Sequence, residues 1–102
     1  LSLHDALPIW FSELLRRGYE ITIGKVDNLE VDFVCKKQNK PIYIQVSYLL
    51  SSEETIEREL KPLMNISDNY PKYVITMDEV NMSHDGIEHL NLIDFLIDNN
   101  II

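Results

Sequence analysis

The chain has 102 residues and a mass of 11.9 kDa, enough for one domain and one modest core. Its 45% apolar and 25% charged residues are the proportions of an ordinary globular domain, so disorder is not expected. A net charge of -8 argues against a stand-alone nucleic-acid binder, and the single Cys35 excludes an internal disulfide or a cysteine-cluster zinc site.

The longest apolar run is three residues, so no membrane span is predicted and a cytoplasmic location is expected. The charge is uneven. Trp10 to Leu50 holds 6 basic and 5 acidic residues, whereas Ser51 to Ile102 holds 3 basic and 11 acidic. An anionic ligand is therefore expected to approach the first half.

The opening nine residues, LSLHDALPI, resemble one translated frame of a common sequencing adapter without a mismatch. Residues 1–9 are accordingly expected to be adapter-derived and to make few core contacts, with the natural protein continuing upstream. Residues 10–102 are read as the domain.

Trp10 to Arg17 is predicted helical, because Trp10, Phe11, Leu14 and Leu15 fall on one stripe and Gly18 suits a left-handed end. Tyr19 to Val26 alternates as a strand, with Tyr19, Ile21 and Ile23 on one face. An Asp27-Asn28 turn leads to a second strand, Leu29 to Lys36. Here Val31, Phe33 and Cys35 alternate with Glu30, Asp32 and Val34. After a polar turn, Pro41 to Tyr48 forms the third strand, with Ile42, Ile44, Val46 and Tyr48 opposed to Tyr43, Gln45 and Ser47. Short loops between the three predict an antiparallel meander.

Ser51-x-x-Glu54 reads as a capping box for a helix carrying Ile56, Leu60, Leu63 and Met64, with Pro62 expected to end or kink it at Lys61. Lys72 to Met77 is a near-continuous apolar strand, expected to pair in parallel after the helical crossover. A polar loop, a short edge strand at Ile87 to Asn91 and a terminal helix at Leu92 to Asp98 complete the chain. The core is expected to gather Trp10, Leu14, Ile44, Val46, Ile56, Leu60, Val74 and Phe95. Cys35 is expected to pack there. His84 and His89, five apart, lack metal-ligand helix spacing and read as surface or capping residues. Ser12 has no evident base partner. Arg16 and Arg17 suit a helix end, or a contact with nucleic acid or with an upstream module.

A two-residue turn at Gln38-Asn39 would pair the second and third strands so that Asp32 faces Gln45 and Glu30 faces Ser47. Two carboxylates on one face of the second strand suit Mg²⁺, and Glu13 on the first helix offers a third. The helix-βββ-helix-β order, with an acid on the second strand, resembles the PD-(D/E)xK nuclease-like core. The segments ELLRRGYEITIGKVDNLEVDFV, IYIQVSYLL and DNYPKYVITMDE further resemble the C-terminal domain of unknown function of bacterial and archaeal AAA-type ATP-binding proteins. The resemblance spans about Trp10 to Asp98. It implies an α/β, restriction-endonuclease-like core with a mixed sheet flanked by helices.

The resemblance also implies catalytic positions at Asp32, Glu30, Gln45, Ser47 and Glu13, with Asp32 and Glu30 as metal ligands. The expected (Asp/Glu)-x-Lys reads Gln45-Val46-Ser47, which lacks an acid and a catalytic cation. The implied function is an accessory, pseudo-nuclease domain whose partner is an upstream AAA-type ATPase module. ATP and Mg²⁺ would be bound in that module, since no G-x-x-x-x-G-K-[ST] occurs here. The alternative is a divergent Mg²⁺-dependent nuclease using Asp32, Glu30 and Gln45. The acidity disfavours nucleic acid as partner, and no membrane contact is expected.

Overall fold

The computed structural model describes residues 8–26 and 29–102, and for residues 24–26 and 29–32 it describes the backbone alone. The elements in chain order are α1 (Ile9–Arg16), β1 (Glu20–Val26), β2 (Leu29–Lys37), β3 (Lys40–Val46), α2 (Glu53–Met64), β4 (Lys72–Thr76), β5 (Glu88–Asn91) and α3 (Leu92–Ile97). This is an α/β fold in which helices flank a five-stranded mixed sheet of order β1-β2-β3-β4-β5. The β1–β2 and β2–β3 pairs are antiparallel, and the β3–β4 and β4–β5 pairs are parallel. The meander and the parallel crossover through α2 therefore match the reading of the sequence. Residues 1–7 and the Asp27-Asn28 turn lie outside the described residues. Ile9, at the start of α1, is 61% exposed.

Strand alternation divides the core into two layers. On one face of the sheet, Tyr43, Leu50, Leu60, Leu63, Ile66, Val74 and Ile87 are buried together, largely under α2. On the other, Leu14, Cys35, Ile42, Ile44, Ile75, Leu90 and Phe95 pack beneath α1 and α3. The expected core residues all take part: Leu14, Ile44, Leu60, Val74 and Phe95 are fully buried, while Trp10, Val46 and Ile56 pack at the margins. Trp10 lies 4.6 Å from the Phe33 ring, tying α1 to β2. Cys35 is buried, and that burial pushes its thiol up to about 12.

Four local expectations need correction. Ile23 does not share a buried face with Tyr19 and Ile21; it is 86% exposed. The β1–β2 register shifts between Thr22 and Gly24, and a bulge interrupts strict alternation at that point. The cap of α2 is Ser52, whose hydroxyl accepts from the Thr55 N–H at 3.2 Å, rather than Ser51. Leu50 is buried and its N–H donates to Asp78 Oδ2 at 2.8 Å, which anchors the chain just before the cap. Pro62 does not end α2. The helix runs to Met64, and the Asn65 N–H still donates to the Lys61 carbonyl at 3.1 Å. Pro62 withholds a donor from the Arg58 carbonyl, and Arg58 lies on the exposed side of the helix. β3 stops at Val46; the Tyr48 carbonyl still accepts from the Met77 N–H at 2.9 Å, but its side chain is 71% exposed rather than packed with Ile42 and Ile44.

Candidate functional site

The Gln38-Asn39 turn fixes the alignment of β2 and β3. Both residues are left-handed, with φ of 53° and 62°, the geometry of a tight two-residue hairpin. The described pairing runs from Lys37–Lys40 to Phe33–Ile44, in the register the sequence predicts, and it ends before the expected Asp32–Gln45 and Glu30–Ser47 pairs. The side chains of Glu30 and Asp32 lie outside the described residues.

Gln45 and Ser47 occupy the carboxyl end of β3. Gln45 is 7% exposed on the same face as Tyr43. Ser47 donates its N–H to the Ile75 carbonyl at 3.1 Å, continuing the join to β4. Glu13 is not brought to them. It lies on α1, beside Leu14, and Leu14 packs with Ile44 on the opposite face of the sheet. Both Glu13 oxygens accept from Arg16, at 2.7 Å each, and Arg17 Nε stands 3.5 Å away. The Arg16 hydrogen bonds hold the carboxyl below its usual range, with burial opposing and the charges of Arg16 and Arg17 reinforcing.

Arg17 extends this network to the C-terminal segment. It donates to the carbonyls of Phe95, Asp98 and Ile101, and its guanidinium lies 4.4 Å from the Phe95 ring centroid. Arg16 and Arg17 thus serve as helix-end residues that also lock α3.

A polar cluster that sequence reasoning did not assemble lies at the carboxyl ends of β4 and β5. Thr76 is 1% exposed and donates to Asp78 Oδ2 at 2.7 Å. His89 Nε2 lies 2.7 Å from the Thr76 hydroxyl, and the Met82 N–H donates to Nδ1 at 3.1 Å. Because Nδ1 accepts, the proton of the neutral ring sits on Nε2 and is donated to Thr76. Asn91 donates to the Asp78 carbonyl at 3.0 Å, and the His89 N–H to Ser83 Oγ at 3.0 Å. Burial lowers the His89 pKa, opposed by the Asp78 charge.

These bonds explain how residues 77–87 join two parallel strands without a helix. Met82 and Ile87 pack into the α2-side cluster while the polar groups close over them. Both His89 nitrogens are engaged, so the ring has no lone pair to offer a metal or a substrate as placed. The only local clues were Thr76 two residues before Asp78 and a histidine in a short strand. Assembling them needs the β4–β5 register, in which Val74 pairs with His89 and Thr76 with Asn91.

The described donors do not compose a Mg²⁺ site. Gln45 is neutral, Ser47 supplies a hydroxyl, and Glu13 is committed to arginines on the other face. Among the described residues, no group of three His, Cys, Asp or Glu side chains could hold a metal ion, and no helix is long and apolar enough to cross a membrane.

The chain is similar to an uncharacterized protein of Haemophilus influenzae, at 40% identity over 90 residues. The match takes in 87% of this chain and 22% of that relative, so the chain spans about a fifth of the relative's length. No protein-family model and no solved structure matches the chain.

Proposed function

We propose that the chain is an accessory, non-catalytic module on a restriction-endonuclease-like core within a longer AAA-type ATP-binding protein. The observation that carries the reading is the carboxyl end of β3. Where the resembled nucleases place an acid and a lysine, this chain has a buried Gln45 and, just past the strand end, a half-buried Ser47. The amide brings no charge to a divalent ion, and the hydroxyl cannot stabilise charge developing on a phosphate. The α-βββ-α-β order and mixed sheet support the core assignment. The much greater length of the Haemophilus influenzae relative supports a role within a larger polypeptide.

Two measurements test the proposal. ATP binding by the full-length polypeptide that carries this segment is expected; a full-length chain that lacks a P-loop and does not bind ATP would refute the assignment to an ATPase. Plasmid nicking in Mg²⁺ or Mn²⁺ is expected to be absent, and equally so for Asp32→Ala. Nicking by the wild type that Asp32→Ala abolishes would establish the divergent nuclease instead.

A further inference from the structure

The amino-terminal ends of β3 and β4 hold a cleft of about 590 Å³, lined by Tyr19, Lys37, Lys40, Tyr70, Pro71 and Tyr73 among others. That volume is within the range of small-ligand sites. The cleft lies at the opposite end of the strands from Ser47 and Thr76.

Its charge arrangement is unusual for an acidic chain. Lys37 and Lys40 are direct cross-strand partners at the base of the β2–β3 hairpin. Residues so opposed have Cβ atoms about 4.5–5.5 Å apart, and like charges there repel. Among the described residues neither lysine has a carboxylate partner. Lys37 Nζ is instead 5.3 Å from the Tyr19 ring centroid, which keeps it at the cleft. An anion between the two ammonium groups would turn a repulsive pair into two charge-assisted contacts.

The aromatic lining supplies the rest. Tyr19 and Tyr73 are half-buried, and among the described residues no hydrogen-bond partner engages either hydroxyl. Burial raises both phenols above their ordinary value, with Cys35 adding to the effect at Tyr19 and Glu88 at Tyr73. Both therefore keep their protons at neutral pH and are available as donors. Tyr70 is 48% exposed and lines the cleft.

The geometry points to a binding site for a nucleoside 5′-monophosphate, a flat base joined through its sugar to a phosphate monoester. The phosphate carries close to two negative charges and so answers both lysines, where a carboxylate would answer one. The ring stacks on Tyr70, a contact tolerant of base identity. The Tyr19 and Tyr73 hydroxyls donate to base nitrogen or sugar oxygen atoms. The site rests on none of the residues that carry the proposed function.

Calorimetric titration of the full chain with adenosine 5′-monophosphate tests this directly. Binding is expected, with adenosine and inorganic phosphate each weaker by about tenfold or more, because each lacks half of the contacts. Lys37→Ala with Lys40→Ala is expected to weaken binding by about tenfold or more, and Tyr70→Ala by a similar factor. Lys61→Ala, on the exposed side of α2, serves as a control expected to leave it unchanged. The hairpin lysines are exposed, and unchanged circular dichroism would separate lost binding from lost fold. A 5′-phosphorylated oligothymidylate binding more tightly than the mononucleotide would keep the chemistry and assign a strand end as its source. No binding of either probe, or equal binding by the double lysine variant, would overturn the site.

Discussion

The two faces of the sheet are both well packed, yet they close their edges by different means. The α1–α3 face is apolar at its centre, from Leu14 and Cys35 to Phe95, and its rim is held by ions. Arg17 there spans from Glu13 to three carbonyls of the C-terminal segment. The α2 face is apolar near Leu60 and Leu63 but turns polar toward the strand ends, where Gln45, Thr76 and His89 are drawn inward. A helix covers most of that face, and a hydrogen-bonded loop covers the remainder. The difference teaches that burial of polar groups here follows topology. A parallel strand pair without a connecting helix needs side chains to satisfy the backbone of its loop.

Removing the centre of the apolar face is expected to have the largest effect. Phe95→Ala should cost about 3–5 kcal/mol in urea unfolding, because a fully buried ring leaves a cavity. It also removes the surface on which Arg17 rests. A cost below about 1 kcal/mol, against that range, would mean that α3 contributes little to this face.

Cutting the polar cluster is expected to cost less. Thr76→Val keeps the side-chain volume but leaves His89 Nε2 and Asp78 Oδ2 without their shared partner. The penalty for such a loss is about 1–3 kcal/mol. Amide exchange gives the sharper readout: the Met82 N–H, which donates to His89, should exchange faster in the variant. Unchanged exchange would show that the loop is held by Met82 and Ile87 packing alone.

Gly18 joins α1 to β1 and tests the ion-held rim. Its φ of +93° is left-handed, while a Cβ there would meet only Lys37 Cε, at 3.7 Å. Gly18→Ala should therefore cost about 1–2 kcal/mol from backbone strain alone. A neutral substitution would mean that the α1 end relaxes without disturbing the arginine network.

The same contrast explains what the sequence could disclose. Period-two alternation and the Gln38-Asn39 turn made the meander and its register legible, since both signals are local. The apolar KYVITM segment revealed a doubly covered strand for the same reason. Glu13 looked available to an acidic site because spacing places it on a helix but not on a side of the sheet. Its arginine partners at i+3 and i+4 were in plain view, whereas the α3 carbonyls that fix Arg17 lie about 80 positions away. The bulge beside Ile23 and the Thr76–His89 contact likewise depend on which strands meet. The lysine pair at the hairpin base was legible as soon as the turn was, but its aromatic surroundings required Tyr19, Tyr70 and Tyr73 to be gathered from three segments.

Protons are expected to produce the smallest shifts, and they separate the two faces by pH. His89 takes up its proton at lower pH in the folded chain than its ordinary value of 6.5, because burial disfavours the imidazolium. Below that value the unfolded chain binds more protons, so stability is full above about pH 6.5 and falls as the solution is acidified. Glu13 is lowered from 4.5, chiefly by its Arg16 hydrogen bonds, and so contributes stability that is present above about pH 4.5 and lost below it. Urea midpoints measured from pH 8 to pH 3 should thus decline first through the α2 face and then through the α1–α3 rim. His89→Gln should flatten the upper part of the curve and leave the lower part, while Glu13→Gln should do the reverse. If His89→Gln instead left the slope between pH 6.5 and pH 5 untouched, the ring would have to gain its proton without releasing the Met82 amide. That outcome would sever the proposed tie between His89 and the loop that closes over β4 and β5.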